Sequence, residues 1–180
     1  VGFMTHGISI ALQPQMYAFY AKPNEATAPV ARLKVLGSMS LFGVVAVGVS
    51  LFSFDVIRFM ATPAFYPGGS LVPILAFSTF VHGVYSTYAN ALYFEEKGPR
   101  FLPIASVAGA VVSIVLMIWL IPRFAAYGTA LATLAGVASR MVIAGFLANS
   151  RAGIFWSQIR LVLIVCCTAI LCGLAWLSVV

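Results

Sequence analysis

Charge is what this chain has least of. Ten basic and four acidic residues make up 8% of its 180 positions, where a soluble domain carries roughly 25%. That scarcity excludes a water-facing surface over most of the length. The four acids, Glu25, Asp55, Glu95 and Glu96, lie in loops or at the ends of apolar runs, which removes a pair of intramembrane carboxylates for acid–base work. No HExxH, phosphate-cradling Gly-Lys loop or nucleophile elbow occurs, so nothing positive supports an enzyme and the chain is expected not to be one. Cysteine is scarce too. Cys166, Cys167 and Cys172 crowd into the last apolar run without CxxC or Cys/His ligand spacing, which argues against a metal site; thiols in lipid behave as small hydrophobes. No cofactor is implied. Low-complexity tracts and a soluble domain are also missing.

What is present is a ladder of apolar stretches. Hydrophobic residues make up 62% of the chain and its mean hydropathy is +1.06. A spanning helix needs about 20 mostly apolar residues, and six segments qualify: Val1–Ala21, Val35–Phe54, Leu71–Phe94, Phe101–Ile121, Tyr127–Ala148 and Arg160–Val180. Barrel strands are about 10 residues of alternating character, and these runs are too long and unbroken for that. The expectation is an all-α integral membrane protein. Residues 1–180 would form a single transmembrane helical domain, and because the chain opens and closes inside apolar runs it is expected to be a piece of a longer one. Gln13, Pro14 and Gln15 interrupt the first run, which has no basic n-region, so a signal peptide is not expected there.

The net charge of +6 is distributed with bias. Lys22, Arg32 and Lys34, then Lys97 and Arg100, then Arg151 and Arg160 fall in alternate loops. The intervening loops hold only Arg58 and Arg123. Seven cations against two place the richer loops in the cytoplasm by the positive-inside rule. This topology signal and contact with anionic membrane lipid account for the charge; nucleic acid is not an expected partner. Asp55 and Arg58, one turn apart, are expected to pair locally at the outer end of the second run. Tyr66, in the turn-rich loop that follows, suits an interfacial anchor.

Polar residues within the runs are the candidate site. The third run reads His-Gly-Val-Tyr-Ser-Thr-Tyr-Ala-Asn from His82 to Asn90. In hydrocarbon such groups turn toward protein or water; they either join helices by hydrogen bonds or line a hydrated cavity. In the fifth run Gly128, Ala132, Gly136 and Arg140 recur every four residues on one face. Small residues there permit close helix approach. The cation that ends the face either snorkels to the cytoplasmic interface or meets an anionic group in a central cavity. His6 and His82 are the groups in the runs that ordinarily titrate near neutrality.

The segment Leu120-Ile-Pro-Arg-Phe-Ala-Ala-Tyr-Gly-Thr-Ala-Leu-Ala-Thr-Leu134 resembles a helical hairpin of polysaccharide flippases, within the multidrug/oligosaccharidyl-lipid/polysaccharide exporter superfamily. Phe65-Tyr-Pro-Gly-Gly-Ser-Leu-Val-Pro-Ile-Leu75 is similar to an outer loop of that family, and Gln13-Pro-Gln-Met-Tyr17 to a polar, proline-containing helix of its C-terminal half. Val115-Leu116-Met117 stands where the family often has an asparagine, which bears on substrate subclass. The resemblance implies most of one bundle of a two-bundle transporter, facing an N-terminal bundle of the same chain around a cavity. It implies a multi-pass protein of the bacterial inner membrane that moves a lipid-linked oligosaccharide for O-antigen or other cell-envelope polysaccharide, beside polysaccharide polymerase machinery. Arg140 would meet the diphosphate, and His82, Tyr85, Ser86, Asn90 and Gln13 would meet sugar. A cation-coupled small-molecule exporter of the same superfamily and a non-transporting membrane assembly subunit are the alternatives.

Overall fold

Lipid offers a peptide group no hydrogen-bond partner, so an apolar run that crosses it must satisfy its own backbone, as a helix does. The computed structural model describes Gly7 and residues 28–93, 98–151 and 158–177, and all regular structure among them is helical. In chain order the α-helices are α1 (Ala28–Leu51), α2 (Ser53–Met60), α3 (Val72–Tyr93), α4 (Leu102–Phe124), α5 (Ala126–Arg151) and α6 (Gln158–Leu177). Two 3-10 segments, Pro63–Leu71 and Gly98–Phe101, lead into α3 and α4.

Among the described residues, three stretches are long and apolar enough to cross a membrane: Pro63–Tyr93, Gly98–Phe124 and Ala126–Asn149. A fourth is reached if the bent pair Val35–Leu51 and Ser53–Phe59 counts as one span. Leu163–Leu177 is apolar but shorter. The expected run Val1–Ala21, with His6 and Gln13, lies outside the described residues apart from Gly7.

The second run is a broken helix. The axes of Val35–Leu51 and Ser53–Phe59 differ by 66°, and Phe52 stands between them at φ −93 and ψ 19. Phe52 N–H still bonds the Gly48 carbonyl at 3.1 Å and Val56 N–H the Phe52 carbonyl at 2.9 Å. Just before the break the fully buried Ser50 donates its hydroxyl to the Ala46 carbonyl at 2.7 Å. Such back-bonding bends helices, as does a nearby Gly/Ser pair, and Gly48 with Ser50 supplies both. The expected Asp55–Arg58 pair is not formed: both side chains are exposed on α2 and no ion pair joins them among the described residues. Each charge would cost about 3 kcal/mol at the centre of a membrane helix. A surface-exposed pair gains only about 0–1 kcal/mol, too little to hold two side chains in one geometry.

Helix α3 is central, packing against α1, α5 and α6, while α4 packs chiefly on α5. Val35, Met39, Phe42 and Ala46 of α1 meet Ala76, Phe80, Val81 and Val84 of α3 in one core. Tyr85, Ala89 and Leu92 of α3 meet Leu102 of α4 and Ala144 and Ala148 of α5 in a second. The outer side of α4 is left apolar and exposed along Ile104, Val107, Val111, Ile114, Ile118 and Trp119, the surface a lipid-facing helix presents.

Helices α4 and α5 form the antiparallel hairpin expected of the Leu120–Gly128 segment. Pro122 sits in the last turn of α4, and Ala125 alone makes the reversal at φ 46 and ψ −120. Such a backbone is unfavourable for a residue with a Cβ. The close packing of the two helices holds it there.

Candidate functional site

Two glycines set this site. At the α4–α5 crossing a Cβ built on Gly109 would stand 2.7 Å from the Gly136 carbonyl oxygen, and one on Gly136 would stand 2.8 Å from the Gly109 carbonyl oxygen. Only hydrogen at both positions allows this approach. The stem of Arg140, one turn after Gly136, crosses the same bare backbone: a Cβ on Gly109 would lie 2.0 Å from Arg140 Cγ.

The guanidinium then reaches two neighbours. Its Nη2 donates to Ser106 Oγ at 3.4 Å, and its Cζ lies 5.0 Å from the centroid of the Tyr85 ring. Tyr85 Oη and Ser106 Oγ are 3.5 Å apart, so α3, α4 and α5 each supply one member of a small polar cluster. Ser106 is one turn nearer than Gly109 to the Leu102 end of α4. By the charge bias that end is the one expected in the cytoplasm, so the head extends in the direction that snorkelling would take. It stops short of leaving the protein. Nε is buried without a partner, and Asp55, the one acid among the described residues, is remote on α2.

These contacts offset only part of the cost of the cation. Placing arginine mid-membrane costs about 2.5–3.5 kcal/mol. A cation–π contact returns about 0.5–2 kcal/mol, and a 3.4 Å hydrogen bond lies beyond the strong range. A buried donor without a partner costs a further 1–3 kcal/mol or so. Among the described residues, these contacts leave the cation only partly compensated.

His82 is exposed and stacks on Tyr85, with centroids 5.7 Å apart and planes 28° from parallel. The column His82–Tyr85–Arg140 therefore runs from the surface of α3 into the α4–α5 crossing. Ser86 donates to the Gly83 carbonyl of its own helix at 2.7 Å, as does Thr87 at 3.2 Å. Their hydroxyls are held by the backbone, and Gly83 on the Thr87 face packs against Phe42. Asn90 is half-buried one turn further along. Gln13 lies outside the described residues. The structure thus joins Arg140, Tyr85 and His82 but does not bring Ser86 into that cluster.

Among the described residues, two grooves lie on the surface away from this cluster. One, of about 380 Å³, lies between α3, α5 and α6 and is lined by Pro73, Phe77, Tyr127, Leu134, Cys172 and Trp176 among others. The other, of about 340 Å³, lies between α1 and α6. Both are mainly apolar, and neither is lined by a candidate residue.

Ser106 and Gly109 were missed by sequence reasoning. The signal for Gly109 was the series Ala105, Gly109, Ser113 at four-residue spacing on α4, the counterpart of the series on α5; Ser106 had none. No protein-family model matches this chain, and neither a curated protein nor a solved structure is similar to it.

Proposed function

We propose that this chain is part of a multi-pass transporter of the bacterial cytoplasmic membrane that moves a polyprenyl-diphosphate-linked oligosaccharide from the inner to the outer face for cell-surface polysaccharide. Six spans would form most of one bundle, rocking against a second bundle by alternating access. The observation that carries this reading is the Arg140 cluster, a cation among three helices with, among the described residues, no carboxylate beside it and one N–H unspent. A diphosphate supplies the missing charge and acceptors. Aromatic rings such as Tyr85 and His82 suit the apolar faces of sugars, while the polyprenyl tail stays in lipid. The cluster's place toward the cation-rich side suits loading from the cytoplasm.

A second reading, a non-transporting membrane assembly subunit, draws on one observation: among the described residues, the two grooves named above are not lined by Arg140. In that case the cluster is interhelical glue. Reconstitution separates the two. Proteoliposomes containing the full protein are expected to speed the crossing of a fluorescent polyprenyl-diphosphate oligosaccharide. A crossing rate equal to that of protein-free vesicles would favour the assembly subunit.

A further inference from the structure

Helix α2 carries a feature the transport reading does not use. Phe52, Val56 and Phe59 follow at i, i+4 and i+7, the spacing of one helical stripe, and they are 62%, 39% and 93% exposed. On the opposite side Phe54 packs on the 3-10 segment, where a Cβ on Gly69 would be 3.1 Å from Phe54 Cε1. The remaining edge holds the exposed, unpaired Asp55 and Arg58. The helix thus has a face against its own chain, an uncovered aromatic stripe and a charged edge.

Two observations say what covers the stripe. It continues the exposed apolar surface of α1, where Leu41, Val44 and Leu51 face outward; on a membrane-crossing helix that surface meets acyl chains. And α2 leaves α1 at 66°. Spanning helices tilt by about 20° from the bilayer normal on average, so α2 runs nearer the membrane plane than the normal. An amphipathic helix in that attitude buries its apolar stripe roughly 5–10 Å into the headgroup–acyl boundary.

We propose that α2 is an interfacial foot: its Phe52–Val56–Phe59 stripe docks on the phospholipid bilayer at the boundary of headgroups and acyl chains, with Asp55 and Arg58 held in the headgroup layer. The partner is the bilayer surface itself, neither another protein nor the hydrocarbon centre. Docking would fix the angle at Phe52 and tie the outer end of α1 to the Pro63–Leu71 segment.

The test uses the full chain in vesicles of phosphatidylethanolamine and phosphatidylglycerol, with Trp119, Trp156 and Trp176 replaced by phenylalanine. Phe59→Trp is expected to emit at short wavelength, to lose emission to lipids brominated high on the acyl chain more than to lipids brominated deep, and to ignore iodide in the water. Arg58→Trp is expected to respond to iodide. Quenching of Phe59→Trp by iodide alone would place the stripe in water; strongest quenching by deep bromines would make α2 re-entrant. Indifference to all quenchers would mean that protein covers it. Each of these three overturns the proposal. Should the tryptophan-free background fail to fold, a nitroxide on Phe59→Cys, with Cys166, Cys167 and Cys172 replaced by alanine, reads the same depth from its relative accessibility to oxygen and to a nickel chelate.

Discussion

Arg140 can lie where it does because residue 109 has no side chain: a Cβ there would stand 2.0 Å from Arg140 Cγ and 2.5 Å from its Cδ. The cation of one helix is positioned by a gap in its neighbour. The same gap brings the Gly109 and Gly136 backbones together, so one glycine serves helix packing and side-chain placement at once.

Gly109→Ala is therefore expected to push Arg140 off Ser106 and Tyr85 and to destabilise the hairpin by about 1–3 kcal/mol, the usual range for overpacking. A double-mutant cycle with Arg140→Ala separates the two effects. Measured by denaturation in detergent, the penalty of Gly109→Ala is expected to shrink when Arg140 is absent, because the worst overlap has gone. Additive penalties would mean that Gly109 serves helix packing alone.

Tyr85 holds the guanidinium with its ring face more than with its hydroxyl, which is 3.5 Å from Ser106 Oγ. Tyr85→Phe is expected to behave nearly as the parent. Tyr85→Ala is expected to forfeit a cation–π contact of about 0.5–2 kcal/mol and to lower export. Export assays of both variants at matched membrane levels check this, and equal losses would contradict it.

Ala125 reverses the chain at φ 46, a conformation that bulky branched residues adopt very rarely. Ala125→Val is expected to lower the melting temperature of the protein. Ala125→Gly is expected to be tolerated, because relief of the positive φ offsets the extra chain entropy glycine loses on folding. Thermal melts in one detergent decide the order; a valine variant as stable as the parent would show that the turn relaxes.

The hairpin and the face carrying Gly136 and Arg140 were legible in sequence because spacing in a helix sets direction: residues four apart share a side whatever the tertiary fold. What the Arg140 face meets was not legible. Ser106 and Gly109 lie more than thirty residues earlier, and only the antiparallel register of α4 and α5 brings them to it. The break at Phe52 was hidden as well. Val35–Phe54 is uncharged and mostly apolar, and the Gly48–Ser50 device that bends it looks in sequence like the other small residues of the run. The unpaired state of Asp55 and Arg58 follows from that bend, since α2 then holds both side chains in an exposed setting.

Topology gives a further check. Reporter fusions after Arg100 and after Arg151 are expected on the cytoplasmic side and one after Arg123 on the outer side, as seven cations against two require. A cytoplasmic reporter after Arg123 would invert the hairpin and move the Arg140 head to the outer half.

The central claim is that Arg140 meets an anionic, lipid-linked sugar. The most direct test is complementation of a bacterial strain lacking its polysaccharide flippase by the gene encoding this chain, in parent, Arg140→Lys and Arg140→Ala forms, with surface polysaccharide read on a gel and membrane insertion confirmed by blot. Polymer is expected from the parent, less from the lysine form, which keeps the charge but loses the planar fork, and none from the alanine form. Full polymer from Arg140→Ala would contradict it.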